Sequence, residues 1–146
     1  MQEPTIKNVE EVVIAVKDIE KAAALFKDLF GMKFEAEWEV PSERIRVKSE
    51  RIAGTQFQLM EPTSPESVVA KFIQSRGEGL NHVAFRVTNL KEMVNRLKEK
   101  GVKFATEEPV ELENPDIPIG KGSFTVIFIH PKSACGTLIE LIEAKE

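Results

Sequence analysis

The chain of 146 residues has no tyrosine, one tryptophan and a single cysteine, Cys135. One cysteine excludes an internal disulfide and any thiolate-rich metal cluster. The shortage of large polar aromatics argues against a stacking surface for single-stranded nucleic acid. A basic excess is also missing: 20 Lys+Arg against 24 Asp+Glu give a net charge of −4. Phosphate-backbone binding needs a basic face, so nucleic acid is not the expected partner. No apolar run approaches the roughly 18 residues of a membrane span, and membrane insertion is not expected. The opening MQEPTIKNVEE lacks the basic-then-apolar signal pattern, so a soluble cytoplasmic protein is the expectation. What is present is 42% apolar and 30% charged sequence, ordinary for one globular domain or two small fused modules.

The chain contains an internal repeat. Residues 9–37, VEEVVIAVKDIEKAAALFKDLFGMKFEAE, resemble residues 80–107, LNHVAFRVTNLKEMVNRLKEKGVKFATE. Val12, Ile14 and Val16 match Val83, Phe85 and Val87; Gly31 and Phe34 match Gly101 and Phe104. The offset is 71 before the helix and 70 after it, so one residue is lost within the helix. Each copy starts with a β-branched apolar run that reads as a strand. Asp18 or Asn89 then offers an N-cap oxygen. The first helix spaces Ile19, Ala22, Ala23, Phe26, Leu29 and Phe30 along one expected buried face; the second does so with Leu90, Met93, Val94 and Leu97. Gly31 and Gly101 stand where a left-handed residue ends each helix, and a strand is expected after each.

The repeat continues from TQFQLME (residues 55–61) to TLIELIE (residues 137–143), now at an offset of 82. The excess is assigned to a loop at residues 110–122, which holds Pro115, Pro118 and two glycines. Two further strands are expected near residues 44–51 and 124–130, and a short helix near residues 67–75. The expectation is an α+β fold in one domain: two tandem βαβββ modules, residues 6–62 and 80–146, joined by a helical linker at 63–79. They would form a curved, partly open mixed sheet around a central cleft.

Strand alternation puts Val12, Ile14 and Val16 under the first helix and turns Glu11 the other way. The same reasoning turns His82, Ala84 and Arg86 away from the second helix, together with Gln58 and Glu140 on the last strands. Glu11 pairs with His82, and Gln58 with Glu140, through the repeat offsets. Two carboxylates, an imidazole and an amide oxygen make a plausible divalent-metal shell, suited to Mn, Fe, Co, Ni or Mg, with Zn also open. Taken singly, each residue has a blander reading: a hydrogen-bonded structural histidine, or a solvated carboxylate at a strand edge. The pairing through two offsets is what favours the metal, chiefly for His82 and Glu140.

Several segments are similar to the vicinal oxygen chelate superfamily, which includes glyoxalase I, extradiol dioxygenases and bleomycin-resistance proteins. They are IAVKD (14–18), FQLMEP (57–62), AKF (70–72), RGEGLNHVAF (76–85) and HPKS…LIEL (130–133 and 138–141). The resemblance spans nearly the whole chain and is strongest to the methylmalonyl-CoA epimerase family. It implies metal ligands at Gln58, His82 and Glu140. At the fourth position the epimerase pattern has a histidine where this chain has Glu11. The family's acid/base glutamate falls most nearly on Glu43, with Glu140 as the second base.

The resemblance implies proton abstraction α to a thioester, a divalent metal ion, a small-molecule substrate such as an acyl-CoA, and a homodimer. Arg86, which the epimerase pattern does not lead one to expect, could neutralise a substrate carboxylate or pair with a strand carboxylate. Lys132 and Ser133 could meet an acyl carrier's phosphates or form an ordinary polar turn. A glyoxalase I-like lyase and a metal-free ligand-binding protein are the alternatives. Ring-cleaving oxygenase chemistry is disfavoured, because it usually needs two histidines and one carboxylate.

Overall fold

The computed structural model describes residues 2–145. Its contacts divide the chain into two units: residues 12–81, and the chain up to 11 together with the chain from 82 onward. Strand β1 (Ile6–Ala15) starts in one unit and ends in the other.

In the unit of residues 12–81, β1 leads to helix α1 (Ile19–Phe30), then strands β2 (Ala36–Val40), β3 (Ile45–Ile52) and β4 (Thr55–Pro62), then helix α2 (Val68–Arg76). The strand order is β2-β3-β4-β1, with β2-β3 and β3-β4 antiparallel. Asp18 caps α1 by accepting the Lys21 amide, and Gly31 ends it at φ +71°. The expected face of α1 buries Ile19 and half-buries Ala22, Ala23 and Phe26, which pack with Val16, Met32, Phe34 and Leu59. The expectation fails for the last turn: Leu29 and Phe30 are 57% and 70% exposed. Leu29 lies roughly 80° round the helix from Ile19, at the margin of the face. Phe30 stacks on Phe26 at 6.1 Å but ends the helix beyond the packed cluster.

In the second unit β1 pairs into the order β1-β5-β8-β7-β6. Its elements are β5 (Gly79–Val87), helix α3 (Leu90–Glu99), β6 (Val110–Glu113), β7 (Ser123–Ile129) and β8 (Ile139–Ala144). β5 and β8 run parallel; β7 is antiparallel to both β8 and β6. Helix α3 buries Leu90 and Val94 against Val87, Ile127 and Leu141, and Phe85, Met93 and Leu97 join that core. The α+β class and the repeated order of elements are therefore as the sequence indicates.

The segment after Gly101 is different. Residues 102–109 form no strand, and Phe104 makes an isolated bridge to Ile129. The strand begins at Val110, inside the segment expected to be loop, because Val110 and Leu112 fall in register with Val126 and Phe124 and extend an apolar sheet face.

A second use of the repeat emerges at the helix starts. The Glu61 carboxylate accepts the Ile19 amide at 2.7 Å. Its repeat mate Glu143 accepts the Asn89 and Leu90 amides at 2.8 and 3.1 Å. Each last strand thus satisfies free N–H groups at the positive end of its module's helix. Replacing Glu143 by Ala is expected to cost about 2 kcal/mol, since charged hydrogen bonds to partly buried amides are lost. The shift of the urea midpoint measures this.

Candidate metal centre

Three of the sequence-selected side chains meet in the unit that joins the chain up to Glu11 with the chain from His82 onward. Glu11 comes from β1, His82 from β5 and Glu140 from β8, and all three are buried. The parallel register sets Ala84 opposite Glu140. Side chains two apart on a strand share a face, so His82 and Glu140 point the same way. His82 Nε2 lies 3.3 Å from Glu140 Oε1 and 3.9 Å from Glu11 Oε1. One donor atom from each residue lies within 4.8 Å of the others.

These spacings suit a small divalent cation. Metal–ligand bonds near 2.1 Å put adjacent donors of an octahedron about 3 Å apart. Two carboxylates beside one imidazole also bring negative charge to a buried place, which favours a cation. The donor set is of the oxygen-rich type that takes Mg, Mn or Fe as readily as Zn.

A fourth residue, not singled out from the sequence, belongs to this cluster. Phe128 on β7 is the register partner of Glu140, and its ring meets His82 edge-to-face, 5.4 Å between centroids at 79°. That contact restricts the imidazole's orientation. Only the pairing of β7 with β8 reveals it.

Two of the other selected residues, Gln58 and Glu43, belong to the unit of residues 12–81. Gln58, in the unit of residues 12–81, is buried on β4. Its Nε2 donates to Gln56 Oε1 at 3.1 Å, and that oxygen also accepts from Ser49 Oγ at 3.1 Å. With its nitrogen held in that bond, the carbonyl oxygen is the atom of Gln58 suited to a cation. Glu43 belongs to the same unit and is exposed at the end of a 3-10 turn, Pro41–Glu43. Arg44 follows at φ +56° and pairs with Glu66 at 3.4 Å.

Arg86 is half-buried on β5, opposite Ile142 and on the strand face of His82 and Ala84. Lys132 and Ser133 are exposed in the 3-10 turn Pro131–Ser133. There the Lys132 amide donates to His130 Nδ1 at 3.0 Å, and Ser133 Oγ accepts the Lys103 amide at 2.8 Å. On the other face of β1, Glu10 is sealed from solvent and accepts from Asn8 Nδ2 at 3.2 Å.

Such a fold and donor cluster define a class of protein. The profile of the glyoxalase/bleomycin resistance protein/dioxygenase superfamily matches residues 10–120, and the chain belongs to that superfamily. Within it, the chain is 33% identical over 134 residues to the mitochondrial methylmalonyl-CoA epimerase of Homo sapiens, covering 91% of this chain and 72% of the relative. It is 29% identical over 137 residues to the ethylmalonyl-CoA/methylmalonyl-CoA epimerase of Cereibacter sphaeroides, covering 93% and 97%. The crystal structure of methylmalonyl-CoA epimerase from Mycobacterium tuberculosis superposes with a TM-score of 0.80 at 34% identity, covering 97% of this chain and 90% of that one.

Proposed function

We propose that the protein is a metal-dependent epimerase of the methylmalonyl-CoA type. The observation that carries this reading is the buried Glu11–His82–Glu140 cluster in a chain similar to epimerases along most of its length. Epimerisation removes the proton α to the thioester, forms an enolate and returns a proton to the opposite face. The main barrier is the negative charge that develops on the thioester oxygen.

Glu11, His82, Glu140 and Gln58 would hold a divalent ion. Such an ion, when bound, supplies a positive charge for that oxygen. Glu140 and Glu43 are the two bases: one accepts the α proton while the other donates to the far face, so the reaction is balanced without any redox partner. Phe128 and the other apolar neighbours of Glu140 exclude water from the proton transfer. Arg86 would neutralise the substrate's free carboxylate, and Lys132 and Ser133 would meet the acyl carrier. The two modules, 6–62 and 80–146 with the linker 63–79, act as one domain. The protein works in the cytoplasm as a homodimer, and the exposed Leu25, Leu29 and Phe30 of α1 offer apolar area for a second copy.

Glu11 favours one second reading, a glyoxalase I-like lyase. That chemistry shares the enolate and accepts a non-histidine ligand at this position.

Exchange with solvent deuterium decides between them. One deuterium is expected at the α carbon of methylmalonyl-CoA, lost after EDTA treatment and restored by a divalent ion. A fully metallated protein that exchanges nothing, yet turns over the methylglyoxal–thiol adduct, moves the assignment to the lyase.

A further inference from the structure

Beside Glu140 the sheet face turns apolar. Ala84 stands opposite Glu140 in register, and Ile142 is two residues further along β8 on the same face. Both are closed off from solvent, at 0% and 1% exposure. The residue that covers them comes from no strand. Ile119, itself 2% exposed, packs with Ala84, Ile142, Phe124 and Val126 in one cluster, with Ile117 at its edge.

Ile119 is carried on the strap of residues 114–122, in the segment read from the sequence as a simple loop. The strap is tied by backbone bonds: Asn114 N–H to Gly122 O at 2.8 Å, Gly122 N–H to Ile119 O at 3.0 Å, and Lys121 N–H to Lys145 O at 3.0 Å. At Gly120, φ +54°, a Cβ would lie 2.4 Å from the Lys145 carbonyl oxygen, so only glycine lets the strap approach the end of β8 this closely.

Connecting segments usually run over the surface with polar side chains. This one is anchored by its backbone and plants a buried isoleucine on Ala84, the register partner of Glu140, and on Ile142, one strand step (about 7 Å) beyond Glu140 on the same face. A carboxylate that takes a proton from a substituted carbon must have that carbon's alkyl group close by. The apolar residues next to Glu140 on this face, Ala84 and Ile142, are the ones that Ile119 covers.

We propose that Ile119 is a specificity-determining residue, limiting the α-alkyl group of the substrate to methyl rather than ethyl. The inference rests on the epimerase reading. In an apolar pocket one methylene is worth roughly 10- to 200-fold in discrimination.

The test compares deuterium exchange into methylmalonyl-CoA and ethylmalonyl-CoA for the wild type, Ile119→Val and Ile119→Ala. Leu112→Ala, at the edge of the same cluster, serves as a packing control. The ethyl-to-methyl ratio of kcat/KM is expected to rise about tenfold in Ile119→Ala and about threefold in Ile119→Val, and to stay unchanged in Leu112→Ala. Ile119→Val removes a single methyl group, which cores tolerate, so it keeps the comparison open if the alanine variant does not fold. An active wild type whose ratio moves in neither Ile119 variant, or moves equally in Leu112→Ala, overturns the inference alone. A wild type that exchanges neither thioester removes the epimerase reading and this inference together.

Discussion

Glu140→Gln is expected to slow deuterium exchange at the α carbon by roughly a hundredfold to ten-thousandfold, the range that general acid–base groups contribute. The amide keeps the size of the carboxylate and an oxygen that can face a cation, but it cannot accept the α proton. Its neighbours also set the size of the loss. Glu140 is buried against His82, Ala84 and Phe128, where bulk water is poorly placed to substitute as base. Metal affinity, read by calorimetry, should fall as well, because a charged ligand becomes neutral. His82→Ala gives the contrasting pattern: it removes a nitrogen donor outright, so the loss of metal is the larger effect and excess metal recovers part of the rate. If Glu140→Gln exchanges at near wild-type rate while binding metal normally, Glu140 is not a base and the proposed pair with Glu43 is wrong.

Much of this arrangement is legible from local patterns. Asp18 and Asn89 announce helix starts, Gly31 announces a helix end, and period-two alternation turns His82 and Glu140 away from the helix-packed core. These features follow from interactions spanning a few residues, which a repeat makes visible twice. Other features depend on which strands become neighbours. Glu61 and Glu143 match as repeat mates, yet their shared task as acceptors for the amides of Ile19, Asn89 and Leu90 exists only once β4 and β8 lie beside their helices. Phe128 acquires its place beside His82 through the β7–β8 register. Ile119 sits among prolines and glycines, the composition of a solvated loop, and becomes a core residue because the Gly120 backbone can touch the end of β8. The last turn of α1 errs in the opposite direction. Phe30 has helical spacing for burial, but periodicity cannot say where the covering surface stops.

That distinction between spacing and coverage has a large energetic consequence. Leu59→Ala is expected to destabilise the protein by about 3–4 kcal/mol, as fully buried leucines do when truncated to leave a cavity. Leu59 is 0% exposed and sits among Val16, Ile19, Met32 and Phe34, where rings and β-branched side chains leave little freedom to collapse into the space. For a chain of this size the loss corresponds to a fall in Tm of roughly 10 °C. Leu29→Ala removes the same atoms from a position that the helical pattern also marks as buried, but the side chain is half in water, so about 0.5 kcal/mol or less is expected. Urea unfolding of the two variants in parallel provides the comparison. Equal midpoint shifts would mean that α1 is covered to its end, and that the packing limit drawn at Phe26 is misplaced. The expected inequality would place the stabilising core of this unit under the first two turns of α1, directly behind the strand that presents Gln58 on its opposite face.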